Sequence, residues 1–156
     1  MRKRSKYRPK GVRIDTIGYV VESMTPVTKH ESFAVDLRLV NHMAMATLTR
    51  GEATKKDLDV LISALNITES LYRLGFGREY KDVVNAGLRA LRSVGGRGIK
   101  TEKFILKADE MSALNEAMEL HDAQLDVITI KDMERALHMV HEEIRNKRAI
   151  PIKEMT

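Results

Sequence analysis

Apolar residues along this chain recur at steps of three and four, the period that gathers them on one side of a helix. Ile14, Ile17, Val21 and Met24 predict a short amphipathic helix that stops before Pro26. Phe33, Leu37, Val40, Ala44 and Leu48 predict a second, ending near Gly51, and Leu58, Leu61, Ile62, Leu65 and Tyr72 a third, ending at Gly75-Phe76-Gly77. A fourth starts near Glu79, buries Val83, Val84, Leu88, Leu91 and Val94, and stops at the Gly-Gly-Arg-Gly of 95–98. From about Asp109, the series Met111, Leu114, Met118, His121, Leu125, Ile128 alternates steps of three and four, as a coiled-coil seam does. Met133, Ala136, Leu137, Val140 and Ile144 mark a last helix.

Three helix starts carry their own signal. Thr28 with Glu31, Thr54 with Asp57 and Thr129 with Asp132 each place a carboxylate three residues after a hydroxyl, the spacing of a reciprocal cap. Only Lys-Phe-Ile-Leu, 103–106, reads as a strand, and a lone strand has no partner. The expectation is all-α: a bundle of five to six helices over residues 14–148, a basic arm at 1–13 and a tail at 149–156. Short loops predict antiparallel hairpins between neighbouring helices. The Met111–Ile128 seam faces either the bundle interior or a second copy, so a homo-oligomer is expected.

Composition fits one globular domain. The 156 residues are 43% hydrophobic and 31% charged, enough for a core without staples. The absence of cysteine excludes disulfides and thiolate ligands. No apolar run reaches the ~18 residues of a membrane span. Asp15 and Glu22 interrupt the stretch behind the basic arm, which argues against a signal peptide and for a cytoplasmic protein.

Charge changes the picture only once it is divided along the chain. Residues 1–13 hold seven Arg or Lys and no acid, whereas the full chain is only +5. Residues 73–107 hold nine basic against three acidic groups, and 109–143 two basic against ten acidic. The arm residues Arg2, Lys3, Arg4, Lys6, Arg8, Lys10 and Arg13 are candidate phosphate contacts, with Tyr7 placed to stack on a base. Pro9 and Gly11, with no apolar face, predict that this arm is flexible by itself. Arg89 and Arg92, one turn apart, and Arg97 and Lys100, expected in a glycine-rich loop, are a second candidate contact. That loop lacks the Gly-Lys-Thr junction of a P-loop. The acidic stretch offers the alternative, a face that docks a basic host protein or imitates phosphates.

Catalytic chemistry has little to stand on. His121, His138 and His141 lie near Glu119, Asp122, Glu134 and Glu142, but neither Glu-x-x-His nor His-Glu-x-x-His spacing is present. No nucleophile–base set is legible, so no catalytic residue, metal or cofactor is expected. Asn66-Ile67-Thr68 matches a glycosylation sequon but falls within a helix and is set aside. The stretch 71–91 resembles the turn and second helix of a tetratricopeptide repeat. It occurs once, where about three copies are needed to bury a continuous face, and reads as a generic helical hairpin.

As a set, "RKRSKYRPKGV", "YRLGFGREY", "MELHDAQLDVIT" and "KDMERA" resemble small accessory proteins encoded by phages and prophages. The resemblance carries no activity and no residue role. It implies a bacterial host cytoplasm and an action on replication, transcription or host defence. The expected function is therefore non-enzymatic: binding nucleic acid, or a host nucleic-acid-processing complex, through the arm and the 89–100 segment. The alternative is inhibition of a host factor through the acidic 109–143 surface.

Overall fold

The computed structural model describes residues 23–29 and 31–146. The arm, most of the expected 14–24 helix and the C-terminal tail lie outside them. Five α-helices follow one another: α1 (Glu31–Thr49), α2 (Lys55–Leu74), α3 (Lys81–Thr101), α4 (Ala108–Val127) and α5 (Ile130–Arg145). No strand occurs among the described residues; 103–107 form an extended connector, and the nearest thing to a sheet is an isolated bridge between Pro26 and Thr129. The protein is an all-α helical bundle. No described helix is long and apolar enough to cross a membrane.

Helix α2 is the hub, packing against α1, α3, α4 and α5. Its Leu58, Leu61, Leu65 and Leu71 are fully buried. Two clusters fill the interior. One gathers Leu48, Leu58, Val94, Phe104 and Leu114 around the α1–α2 and α3–α4 connections. The other joins Val27, Ala34, Leu71, Leu125, Ile128 and Met133 at the opposite end. Burying each such side chain contributes roughly 1.5–3 kcal/mol, so the two clusters together hold the helices against their loss of chain entropy.

Two of the three expected caps form. The Thr54 amide and hydroxyl both donate to Asp57 Oδ2, at 2.7 and 2.8 Å. The Thr129 amide donates to Asp132 Oδ2 at 3.0 Å while the Asp132 amide donates back to Thr129 Oγ1 at 3.3 Å. The third does not form as expected. Thr28 sits in a single 3-10 turn, Val27–Lys29, and Glu31 is the first residue of α1 rather than its third. Gly75, at φ 112°, ends α2 in a left-handed conformation that a side chain would strain.

One open alternative is decided and four expectations are corrected. The seam from Met111 to Ile128 faces inward: Leu114, Met118, His121, Leu125 and Ile128 are buried against helices of the same chain. It is not a free dimer surface. Helix α5 does not return along α4 as a hairpin but packs mainly on α2. Ile128 and Thr129 are both extended, and the corner is held by Val27 N donating to the Ile128 carbonyl (3.1 Å) and Ile130 N to that of Thr25 (3.0 Å). The α1 face is also rotated from the expected one: Ala34, Asn41, Ala44, Met45 and Leu48 point inward while Val40 is exposed. Ile144, expected to be buried, is exposed as well.

The fourth correction bears directly on function. The Gly-Gly-Arg-Gly segment does not stop α3, which runs through it to Thr101. The glycines make room. A Cβ on Gly98 would lie 2.1 Å from Phe104 Cδ1, and one on Gly87 would lie 2.6 Å from the Cβ of Ala117. Phe104 therefore covers the Gly98 backbone, and α4 approaches α3 closely at Gly87. These glycines shape helix packing and open no loop for a phosphate.

Candidate nucleic-acid interface

Of the two basic elements expected from the sequence, the arm residues Arg2, Lys3, Arg4, Lys6, Tyr7, Arg8, Lys10 and Arg13 lie outside the described residues. The second, 89–100, is part of α3. Arg89, Arg92, Gly96 and Lys100 follow at steps of three and four, so they form one row along the helix. Arg89, Arg92 and Lys100 are exposed, and none has a hydrogen bond or ion pair among the described residues. Burial of Leu91 and Val94 on the opposite side aims this row at solvent. At 1.5 Å per residue the row is about 16 Å long, enough to meet several phosphates of a nucleic acid. Lys81 and Lys103, also exposed, extend the same positive field at either end.

Arg97 is different. Its guanidinium grips the Glu110 carboxylate with two nitrogens, Nη1 to Oε1 at 2.6 Å, and Nη2 also donates to the Ile105 carbonyl at 2.9 Å. Glu110 in turn accepts from the Lys107 amide at 2.9 Å, which caps the start of α4. Arg97 donates in the hydrogen bonds that, with the attraction of Glu110 and Asp109, raise its own pKa, and the same bonds hold the Glu110 carboxyl below its ordinary range. This residue fastens the α3–α4 connection. It is not available for phosphate without giving up its pair with the nearly buried Glu110.

The acidic stretch is largely occupied by the fold. Glu110 holds Arg97, Asp122 and Asp126 hold Arg38, and Asp132 caps α5. Glu142 pairs with Arg145 at 2.7 Å and Glu143 with Arg73 at 3.4 Å. Asp109, Glu116 and Glu119 remain exposed on α4. Of the histidines, His138 and His141 are exposed, and His121 is fully buried.

His121 belongs to a polar cluster that sequence reading did not detect. Its Nδ1 lies 2.9 Å from Thr68 Oγ1 and its Nε2 3.3 Å from Asn41 Nδ2. Gln124 Nε2 donates to the carbonyls of Thr68 (3.2 Å) and Phe76 (3.0 Å). On the outer flank, His42 Nε2 meets Asp122 Oδ2 at 2.6 Å, and Arg38 bonds the Asp122 carbonyl at 3.0 Å and the Asp126 carboxylate. Both ring nitrogens of His121 thus have protein partners, and Thr68, the sequon threonine, is buried. The cluster joins α1, α2 and α4, with His121, Asn41, Thr68 and Gln124 buried and His42 and Asp126 at its exposed outer flank. No group of three or more potential ligands is placed for a metal ion among the described residues.

No protein-family model matches the chain, and no curated protein or solved structure resembles it, so the likeness to phage accessory proteins rests on the quoted strings alone.

Proposed function

We propose that this protein binds nucleic acid by charge, using the exposed row Arg89, Arg92 and Lys100 on α3 together with the basic arm 1–13. The observation that carries the reading is the contrast within α3. Arg97 is withdrawn into a bidentate pair with Glu110, whereas its three basic neighbours project without an acidic partner among the described residues. Unpaired cations in a row repel one another, and a polyanion relieves that repulsion while releasing its own counterions. The acidic stretch supports the same reading by being largely consumed in intramolecular bonds. No step of catalysis is part of this proposal; the role is that of an accessory protein. The bacterial cytoplasm implied by the sequence resemblance supplies both DNA and RNA.

The test is fluorescence anisotropy with labelled duplex DNA and single-stranded RNA over a range of salt. Replacing Arg89, Arg92 and Lys100 together with Ala should weaken binding and make the slope of log affinity against log salt shallower by up to about 2.7 for duplex DNA. Thermal unfolding should be unchanged. Equal affinity of the variant and the parent at every salt concentration would remove α3 from the interface.

A further inference from the structure

The free cations of α3 are not evenly spaced. Arg89 and Arg92 lie one turn apart, and Lys100 follows Arg92 only after eight residues, or about 12 Å of helix. Between them the same side carries exposed Ser93 and half-buried Gly96, neither of which reaches far from the helix. The face is thus two groups of charge with a low stretch between. Asp82, two turns before Arg89 on the same side, repels phosphate and ends the face there.

We propose that this face lies across the major groove of duplex DNA, with Arg89 and Arg92 on one phosphate backbone and Lys100 on the other. The proposal rests on the nucleic-acid reading and names its ligand.

The gap between the two groups carries the argument. A B-form strand presents one charge per about 3.4 Å of axis. A helix following a single backbone would therefore leave the phosphates opposite Ser93 and Gly96 without a cation. Laid across a groove, the same low stretch stands over open space. Its length matches the major groove, about 12 Å wide, and is twice the minor groove's roughly 6 Å.

Two further observations favour a duplex over a single strand. Single strands are held on aromatic side chains where bases stack, and α3 contains no aromatic residue. Tyr80, the one exposed aromatic among the described side chains, precedes the helix. The helix is also held rigid. Val84, Gly87, Leu91, Val94 and Gly98 are buried along its inner side, and the Arg97–Glu110 pair ties its last turns to α4. The two groups of charge therefore keep one separation, which suits two backbones a fixed distance apart. Ser93 and Gly96, over the groove, are too short for bidentate contacts with base edges, so the face reads duplex shape and charge without sequence preference.

The test moves one charge without changing the total. Lys100→Ala removes one of the two groups. Ser93→Lys combined with Lys100→Ala restores the net charge, but beside Arg89 and Arg92. Both positions are exposed, and circular dichroism checks that the helices remain. Fluorescence anisotropy of the full-length proteins against salt is read for a duplex DNA and for one of its strands. With the duplex, Lys100→Ala should make the slope of log affinity against log salt shallower by about 0.9, and the double variant should stay as shallow. With the single strand, whose phosphates can follow the moved charge, the double variant should return to the parent's slope. A duplex slope unchanged by Lys100→Ala, or restored in the double variant, would overturn the proposal and leave the nucleic-acid reading standing. So would a double variant not restored on the single strand, or a parent that binds strand and duplex equally. Absence of binding to either at every salt concentration would overturn both.

Discussion

His121 on α4 donates its Nδ1 proton to Thr68 Oγ1 on α2 across 2.9 Å. The direction follows from the neighbouring bond: the Thr68 hydroxyl gives its own proton to the Ala64 carbonyl at 3.0 Å and can only accept from the ring. Nε2 then accepts from the Asn41 amide at 3.3 Å. A ring with one donor and one acceptor is neutral. A second proton would face the Asn41 amide unless that amide turned over. Burial, opposed by the charge of Asp122 and aided by Arg38 and His42, pushes the His121 pKa down to about 4.

Stability should therefore depend on pH in a defined window. Below about pH 6.5 the unfolded ring takes up a proton that the folded ring refuses until about pH 4. The unfolded state binds more protons there, so stability falls as pH falls, by about 3 kcal/mol over the whole window. Urea unfolding at pH 7 and pH 5 should differ by about 2 kcal/mol, and His121→Gln should flatten that difference. The lowered carboxyls of Asp57 and Glu110 lose their stabilising contribution only as pH falls through and below the ordinary carboxylate range, under most of this window. A parent protein equally stable at both pH values would contradict the assignment.

Arg97 and its neighbours on α3 should separate by phenotype. Arg97→Ala leaves the Glu110 carboxylate, nearly buried, without its main partner, and should lower stability by about 1–3 kcal/mol. Arg89→Ala and Arg92→Ala, exposed and unpaired, should stay within about 0.5 kcal/mol of the parent. Denaturant midpoints measure this directly. Indistinguishable midpoints for all three would mean that the Arg97–Glu110 pair is not held in solution.

Gly98→Ala gives a test by sign. In an uncrowded helix interior, Gly→Ala stabilises by about 1 kcal/mol. Here the new Cβ would meet the Phe104 ring at 2.1 Å, so the substitution should destabilise by about 1–3 kcal/mol. Combining it with Phe104→Leu should cost less than the two single changes added together, because both act on one contact. A stabilised Gly98→Ala protein would show that Phe104 does not cover that glycine.

The helical class was legible because periodicity and capping report local, single-chain physics. Thr54 with Asp57 and Thr129 with Asp132 mark their helix starts without help from the rest of the fold. The Gly-Gly-Arg-Gly segment was misread because a glycine called for by a neighbour's ring looks, in one dimension, like a glycine called for by a turn. Phe104 and Gly98 are six residues apart, and nothing local ties them. Helix α1 was misoriented for a related reason. Its apolar residues run almost all the way round, so the pattern does not choose a face. Asn41 chooses it, through a partner 80 positions away at His121. Arg89 and Arg92 were placed on one face of α3 from spacing, but Lys100 was expected in a loop, and the withdrawal of Arg97 was not foreseen, since its partner Glu110 lies across the connection on another helix.

The measurement that bears most directly on nucleic-acid binding is the salt dependence of affinity for the intact protein and for one lacking residues 2–13. Deletion removes seven basic residues, so the slope of log affinity against log salt for duplex DNA should become shallower by up to about six, with a helical fold that circular dichroism cannot distinguish from the parent. The remaining slope should fall further on replacing Arg89, Arg92 and Lys100. Identical affinities of the intact and truncated proteins for DNA and RNA at every salt concentration, or no affinity in either, would contradict the account.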